Sequence, residues 1–414
     1  LHRYLRRLSV VVIIIDMFHL TMFYRKLHAT VLKNKFAINN TLGFILRGGN
    51  QVSNASSVTN GIISTNASNA TAHWFSESER NDFVSVYPYL AEDLTKSPLC
   101  DDTIVMDRIR QLLTHNLTHG KKLVGLSTLL LYKSIEHEHN LTEHNVRLAN
   151  IMSWCLQMLH TSFVLTDDMI DSSKTRRGMP CWYLLEDVGS TAINDATWLA
   201  SAICTILKKY FHNHNHYVQI LESFKKLQKE TILGQIIDEI YTGNRVVNLL
   251  NNRTYTTIMK YKTATPCQAP ITFALHLTGR NDELLYNKGS KILGEMGHYI
   301  QVQNDYFDCF EDPTITGKKG SDIEGGKCTW LIVDAMERSS SSQRHILEEH
   351  YGKKNPESVK AVRNLYETLQ LRKQYKVYED EFKTRIRTYI EEVPINATRE
   401  VFYKILNSIG KKTS

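Results

Sequence analysis

The sequence is poor in the residues that form turns. Glycine and proline account for 20 and 8 of its 414 residues, about 7% together against about 12% in average proteins. Sandwiches and barrels carry a turn signal about every 8–12 residues, so this shortage argues against them. The apolar fraction of 42% is large enough for a buried core and argues against a disordered chain. Together these features favour a protein built from long helices.

Two further absences narrow the class of protein. No run of 18 apolar residues is present, so we expect no stable membrane span. The seven cysteines are widely scattered, and no two of them have the Cys-x-x-Cys spacing of a zinc or redox motif. We therefore expect reduced thiols that pack as small apolar groups, with neither a structural zinc site nor a disulfide framework.

Acidic residues are almost missing from the first 76 residues. This segment holds eight basic residues and a single acid, Asp16, and so carries the whole net charge of +7. The remainder of the chain has 42 charges of each sign without a basic cluster. We therefore expect no nucleic-acid partner.

The same segment has the composition of a targeting sequence. It is rich in arginine and ends in a tract of Ser, Asn, Thr and Ala over 51–72, typical of a transit peptide followed by a flexible linker. We interpret residues 1–74 as a basic transit-like leader and Ser/Asn-rich linker. Mitochondrial import and a cytoplasmic extension both stay open, as does a secretory signal built on the short apolar stretch at 10–15.

The rest of the chain has a helical pattern. Apolar residues recur at every third or fourth position in long segments such as 145–164 and 284–310, which is typical of amphipathic helices. There is no fixed-period repeat and no sustained alternation of apolar and polar residues. We therefore predict one all-α domain over 75–414, with loops in the polar stretches at 171–180, 242–252 and 312–327.

Two acidic motifs stand at the ends of predicted apolar helices. The first is DDMID at 167–171, and the second is NDYFD at 304–308. Acidic residues four apart lie on one face of a helix. Each motif is followed by a basic loop, SSKTRRG at 172–178 and TGKK at 316–319. A lone acidic helix end is usually just solvated, but two of them beside cations suit Mg²⁺ and the oxygens of a diphosphate.

These motifs resemble those of the trans-isoprenyl diphosphate synthases, a family typified by farnesyl diphosphate synthase. Members carry DDxxD-SSxxRRG and a second DDxxD followed by DPxxTGK and KCxWL; the sequence has DDMIDSSKTRRG and NDYFDCFEDPTITGKKGSDIEGGKCTWL. INDA, GQIID and KYKTA match between them in order and spacing. The resemblance covers roughly residues 80–410. It implies an isoprenoid synthase-type helical bundle around a deep apolar cavity, and a homodimer.

The resemblance also implies roles for individual residues. Three Mg²⁺ ions would be ligated by side chains of both motifs: Asp167, Asp168, Asp171, Asn304, Asp305 and Asp308. The diphosphate of an allylic substrate would be bound by three cations and one amide: Arg176, Lys262, Lys318 and Gln301. The catalytic residues would be those of the first motif and two of the cations: Asp167, Asp168, Asp171, Arg176 and Lys262.

The sequence departs from the family where isopentenyl diphosphate would bind. Lys121 and Arg177 are retained from the substrate-binding set, but Leu123 and Val124 replace an asparagine and an arginine, and His160 replaces a glutamine. A hydrogen bond to a charged group contributes about 1.5–3 kcal/mol, so losing two weakens this site by roughly 3–6 kcal/mol. That is about two to four orders of magnitude in affinity.

This loss favours an enzyme that ionises an allylic diphosphate and quenches the cation internally. Ser162 and Phe163 lie about one turn before the first motif, and the small serine deepens the cavity in favour of farnesyl diphosphate as substrate. We therefore expect an insect-type terpene synthase, a carbon–oxygen lyase that converts farnesyl diphosphate into a sesquiterpene hydrocarbon or alcohol. One alternative is a farnesyl or geranyl diphosphate synthase that couples isopentenyl diphosphate to an allylic diphosphate, with Lys122 compensating the loss. Another is a catalytically silent member of the family.

Overall fold

The computed structural model of the protein describes residues 75–96, 102–243, 247–312 and 320–409. The predicted leader over 1–74 and the predicted diphosphate ligand Lys318 lie outside them. The described residues form sixteen α-helices, one π-helix, a single hairpin of two short strands and four 3₁₀-helices at Glu138–Asn140, Trp182–Leu184, Gly189–Thr191 and Val247–Leu249. The predicted all-α class is confirmed. No helix within the described ranges is long and apolar enough to span a membrane.

The α-helices are α1 Glu77–Val84, α2 Tyr87–Thr95, α3 Thr103–Leu117, α4 Leu123–Ile135, α5 Glu143–Ile170, α6 Ala192–Phe211, α7 Tyr217–Ile240, α8 Asn252–Ile258, α9 Thr265–Thr278, α10 Glu283–Phe310, α11 Asp322–Gly325, α12 Trp330–Arg338, α13 Ser341–His350, α14 Pro356–Thr368, α15 Leu371–Glu391 and α16 Asn396–Ile409. The π-helix is Met259–Ala264, between α8 and α9, and the strands are β1 Thr175–Arg176 and β2 Met179–Pro180.

The two longest helices, α5 and α10, carry the acidic motifs at their C-terminal ends. Each has 28 residues, a length of about 42 Å. Their starts are set by capping side chains, because Thr142 Oγ1 accepts from Asn145 N at 3.2 Å and Asp282 Oδ1 accepts from Leu285 N at 2.9 Å. Both motifs therefore lie at the opposite ends of these helices from the capped starts. At each of those ends a long helix is followed by a loop.

Two hydrophobic clusters hold the described helices together. In the first, α4 packs between α5 and α9, and α6 packs on α5. The second gathers α12 to α15 around the C-terminal part of α10. Helix α10 belongs to both, since Met296 and Tyr299 lie in the first cluster and Val302 and Cys309 in the second. The second acidic motif is thus anchored between two cores.

The predicted loops agree in part with the structure. The stretch at 171–180 is a loop that includes the β1–β2 hairpin, and α8 begins inside 242–252. Of the stretch at 312–327, the described portion contains the short helix α11. The six described cysteines are all free thiols, as expected. The deep cavity implied by the family resemblance stays a prediction.

Candidate active site

The RRG segment forms the turn of the β1–β2 hairpin. Arg176 pairs with Met179 across the strands, so Arg177 and Gly178 are the two turn residues, and both have positive φ (55° and 77°). Two-residue hairpin turns favour this backbone. Arg176 is the last residue of β1 and Arg177 already belongs to the turn, and the two side chains have different partners, Asp168 for Arg176 and the Asn116 carbonyl for Arg177.

Arg176 is directed to the first acidic motif. Its Nε donates to Asp168 Oδ1 at 2.9 Å, and Asp168 is only 3% exposed. Burial lowers the pKa of the Arg176 guanidinium, but the hydrogen bond and charge of Asp168 outweigh this effect and raise it. Arg176 is therefore a fixed positive charge at the end of α5.

Lys262 reaches the same motif from the π-helix. Its Nζ lies 2.5 Å from Asp238 Oδ2 on α7 and 3.3 Å from Asp167 Oδ1 on α5. The π-helix and α7 are in contact at Gly234, where an added Cβ would lie 2.3 Å from the backbone N of Lys262. Burial lowers the pKa of Lys262, but Asp167 and Asp238 raise it well above its usual value. The ammonium therefore stays charged.

Lys327 is a third cation at the first motif, and the sequence interpretation had assigned it no role. It follows α11, and its Nζ donates to Asp171 Oδ1 at 2.5 Å. Its backbone carbonyl accepts from the Tyr351 hydroxyl at 2.6 Å. The residue was visible in the matched KCxWL motif. Its partner, 156 positions earlier in the chain, could not be inferred from sequence.

The pKa values of Asp167 and Asp171, the two outer carboxylates of the first motif, shift in opposite directions. Burial alone would raise the pKa of Asp167, but the charges of Lys262, Lys327 and Arg176 outweigh the effect of burial, so that the pKa is lowered. Burial and then the charge of Asp167 raise the pKa of Asp171. Asp167 Oδ1 is buried without accepting a hydrogen bond, its contact with Lys262 being the longer ion pair described above. The motif thus has a buried ionised oxygen that a further cation could bind.

In the second motif, Asp305 is enclosed by donors. Its oxygens accept from Gln301 Nε2 at 2.8 Å, the backbone N of Trp330 at 2.8 Å and the Tyr255 hydroxyl at 3.2 Å. Burial raises the pKa of Asp305 to about 7 in spite of these donors. Gln301 also contacts Thr263 of the π-helix, with 3.5 Å between its Oε1 and the hydroxyl. Gln301 therefore joins the second motif to the helix that carries Lys262.

Asp308 and Asn304 complete the second motif. Asp308 Oδ2 accepts from the backbone N–H groups of Ser321 at 2.8 Å and Asp322 at 3.0 Å, while Asn304 is half-buried. Across the described ranges, no three His, Cys, Asp or Glu side chains are arranged as a ready metal cluster. The predicted ligands of the first motif are instead engaged by cations.

The residues predicted for isopentenyl diphosphate lie on the other side of the hairpin. Arg177 Nη1 donates to the Asn116 carbonyl at 2.6 Å. Gly120, with φ of 83°, leaves room for this side chain, since a Cβ there would be 2.6 Å from Arg177 Cδ. Lys121 lies beside it, with its Nζ 3.5 Å from the Ser408 carbonyl. Burial and the charges of Arg177 and Arg176 lower the pKa of His160 to about 4, so its imidazole is neutral.

Ser162 and Phe163 lie on α5 below the first motif. Ser162 is buried and donates to the Leu159 carbonyl at 2.7 Å, and Phe163 packs half-buried against the first cluster. A small apolar cavity between α5, α6 and α7 is lined by Leu159, Ile203 and Phe224 among others. This cavity is too small for a prenyl chain, so it is not the deep cavity that the family resemblance implies.

Comparison with known proteins gives one consistent result. A family described as "Polyprenyl synthetase" matches residues 106–369. The chain is 37% identical over 337 residues to the farnesyl pyrophosphate synthase of Murgantia histrionica, covering 81% of this chain and 82% of that protein. It is 36% identical to the enzyme of that name from Gallus gallus (81% and 93%) and 37% identical to that from Panax ginseng (80% and 97%).

These relatives overturn the expected activity. They are named as synthases of a prenyl diphosphate, so the expected sesquiterpene synthase, and with it the assignment to the carbon–oxygen lyases, is wrong. The alternative of prenyl chain elongation is the one they support. The error has a physical origin, because only the residues at the family's own positions were counted.

Proposed function

Because the chain belongs to the polyprenyl synthetase family, the trans-isoprenyl diphosphate synthases, we propose that it couples isopentenyl diphosphate to an allylic diphosphate and yields farnesyl diphosphate. The observation that carries this proposal is the hairpin that separates Arg176 from Arg177. A coupling enzyme needs two diphosphate sites side by side, and the adjacent arginines supply one cation to each.

The first site would bind the allylic diphosphate. Arg176, Lys262 and Lys327, which here hold carboxylates, would exchange these partners for diphosphate oxygens, and the predicted ligands Gln301 and Lys318 would complete the set. As the allylic C–O bond breaks, its electron pair leaves with the diphosphate, and fixed cations stabilise the growing negative charge. The double bond of isopentenyl diphosphate then forms the new C–C bond, and the proton lost from the neighbouring carbon passes to the released diphosphate, which is the base that the reaction itself supplies.

Oxygen ligands at the two motifs fit Mg²⁺. Carboxylates suit this hard cation, and Asp167 Oδ1 is a buried oxygen without a hydrogen bond. We propose Asp167, Asp168 and Asp171 as ligands from the first motif, and Asn304 and Asp308 from the second, for up to three ions. Bound Mg²⁺ would neutralise the leaving diphosphate.

We propose a different role for Asp305 from that of the metal ligands. Its oxygens already accept from three donors on three different elements. We therefore assign it to positioning the second motif, rather than to ligating an ion directly.

Helix α5 would also limit the chain length of the product. From Asp167 to Ser162 the helix rises about 8 Å, so Ser162 lies at the depth that a prenyl tail of the allylic substrate would reach. Ser162 leaves space for a prenyl tail to pass, whereas an aromatic ring there would block it. This supports a fifteen-carbon product over a ten-carbon one.

Helix α7 supports the proposed homodimer. Its residues Ile232, Leu233, Ile236 and Ile240 are 45%, 42%, 50% and 63% exposed in the single chain. A contiguous apolar helix face of this kind marks an interaction surface. Sedimentation velocity of the full chain would show twice the mass of one chain, and a monomer at micromolar concentration would contradict this assignment.

One pair of incubations tests the proposed function. The purified full chain is supplied with Mg²⁺ and either geranyl plus isopentenyl diphosphate or farnesyl diphosphate alone. We expect a longer prenyl diphosphate in the first incubation and no volatile product in the second. A volatile hydrocarbon or alcohol from farnesyl diphosphate, without elongation in the first incubation, would overturn the proposal.

A further inference from the structure

Helix α1 is docked directly against the start of the isopentenyl diphosphate site. Its Phe83 ring stacks on Trp154 of α5 with 4.5 Å between ring centroids. A Cβ added at Gly125 of α4 would lie 2.5 Å from Phe83 Cζ, so only a glycine allows this approach. Arg80 lies three residues before Phe83 and hence on the same face of α1. The packing therefore brings Arg80 toward the N-terminal end of α4.

Hydrogen bonds fix α1 in this position. Trp154 Nε1 donates to the Phe83 carbonyl at 2.9 Å, and Asn150 Nδ2 donates to the Asp82 carbonyl at 2.7 Å. At the other side, Lys404 of α16 binds Glu79 at 2.6 Å. Arg80 is thus held on a rigid element and is not carried by a loose N-terminal arm.

Four cations converge at this point. Arg80 is close enough to Lys121 and Lys122 for its charge to lower the pKa of both, after the effect of burial. The charge of Arg177 also acts on Lys122, whose pKa falls to about 8. Lys122 Nζ bends back to the carbonyls of Thr118 at 2.8 Å and Gly120 at 3.3 Å.

The acids whose charge reaches Arg80 and Arg177, Glu79 and Asp168, are each engaged by another cation. Within the described ranges no carboxylate forms an ion pair with Arg80, Lys122 or Arg177. Glu79, the acid next to Arg80, forms an ion pair with Lys404, and Arg80 Nε donates to the Phe75 carbonyl at 3.3 Å. Partly buried like charges disfavour one another, and a bound polyanion would remove that repulsion.

On this geometry, and resting on the proposed coupling function, we propose that Arg80 and Lys122 complete the isopentenyl diphosphate site in place of the arginine that Val124 replaces. Arg80 enters from α1, and Lys122 stands directly before the first residue of α4. Together with Lys121 and Arg177 they surround one diphosphate from three elements. The partial positive charge at the N-terminus of α4 adds to the same field.

The test is Arg80→Gln in the full chain, with Arg110→Gln as matched control because Arg110 is an exposed arginine paired with Asp107. Calorimetry measures binding of isopentenyl diphosphate alone, and steady-state kinetics gives KM for each substrate. We expect Kd and KM for isopentenyl diphosphate to rise about 10- to 100-fold. The KM for geranyl diphosphate and all constants of the control should stay unchanged. Arg80→Lys should recover part of the loss.

The outcomes separate this proposal from the proposed function. If the unmodified chain binds isopentenyl diphosphate but forms no elongated product, the function fails while calorimetry still decides the role of Arg80. If elongation occurs and Arg80→Gln leaves the Kd within twofold, the role of Arg80 is overturned. An equal rise of KM for both substrates would also overturn it, by indicating a structural role. Should Arg80→Gln not fold, Lys122→Gln carries the same test with the same expected shift.

Discussion

Gly234→Ala should disable the enzyme by displacing Lys262 without removing any charge. The new methyl would lie 2.3 Å from the backbone N of Lys262 and 2.6 Å from the carbonyl carbon of Tyr261. Ordinary contact begins at 3.4 Å, so the π-helix and α7 must separate by about 1 Å. Neither partner atom belongs to a flexible side chain, and the backbone itself has to move.

The size of the effect follows from that displacement. A misplacement of about 1 Å at a catalytic group can cost about 100-fold in rate, so we expect kcat/KM for coupling to fall by about two orders of magnitude. Overpacking costs about 1–3 kcal/mol, and the better helix propensity of alanine recovers about 1 kcal/mol. The free energy of unfolding should therefore fall by no more than about 2 kcal/mol.

Steady-state kinetics and urea unfolding measure the two effects separately. Gly325→Ala is the matched control, because a methyl on this helical glycine meets only Lys327 Cγ, at 3.7 Å. The Kd for isopentenyl diphosphate should be the same in both variants, since its site lies on the other side of the hairpin. Full kcat/KM in Gly234→Ala would refute the inference that this contact positions Lys262.

Three further outcomes are expected. Asp167→Ala should lower kcat by about three orders of magnitude or more, because it removes a proposed ligand of the Mg²⁺ that would stabilise the leaving diphosphate. Its thermal midpoint should fall only slightly, because the lost attraction to Lys262 and Arg176 is partly replaced by their remaining partners Asp238 and Asp168 and the repulsion that raises the pKa of Asp171 is relieved; retained turnover would remove the motif from the mechanism. The KM for isopentenyl diphosphate should rise as pH passes about 8, because Lys122, whose pKa is lowered to about 8 by partial burial and by the charges of Arg177 and Arg80, loses its proton there and a neutral amine binds a diphosphate less tightly. In Lys122→Arg this rise should vanish between pH 7 and 9.5, and a profile identical to that of the unmodified chain would exclude Lys122 as its source. A chain that starts at residue 75 should keep full turnover, since every proposed site residue follows that position; a soluble but inactive product would place the domain boundary elsewhere.

The sequence alone was sufficient for the helical class, the family and the acidic motifs. Helical periodicity is a local property, and DDMID and NDYFD place their carboxylates by spacing along a single helix. For the same reason the predicted segments at 145–164 and 284–310 lie inside α5 and α10. The roles of Arg176 and Lys262 came from matched motifs, and the ion pairs found for them agree with a place at the first motif.

What the sequence could not supply is the set of partners that only the tertiary structure brings together. Lys327 binds Asp171 across 156 positions, and the contact of Phe83 with Gly125 holds α1 where the charge of Arg80 lowers the pKa of Lys122. Motif comparison counted the missing arginine and glutamine at fixed positions and therefore pointed to the wrong reaction. Electrostatic fields depend on distance in space and not on position in the chain, so a cation on α1 can act where a motif on α4 has lost one.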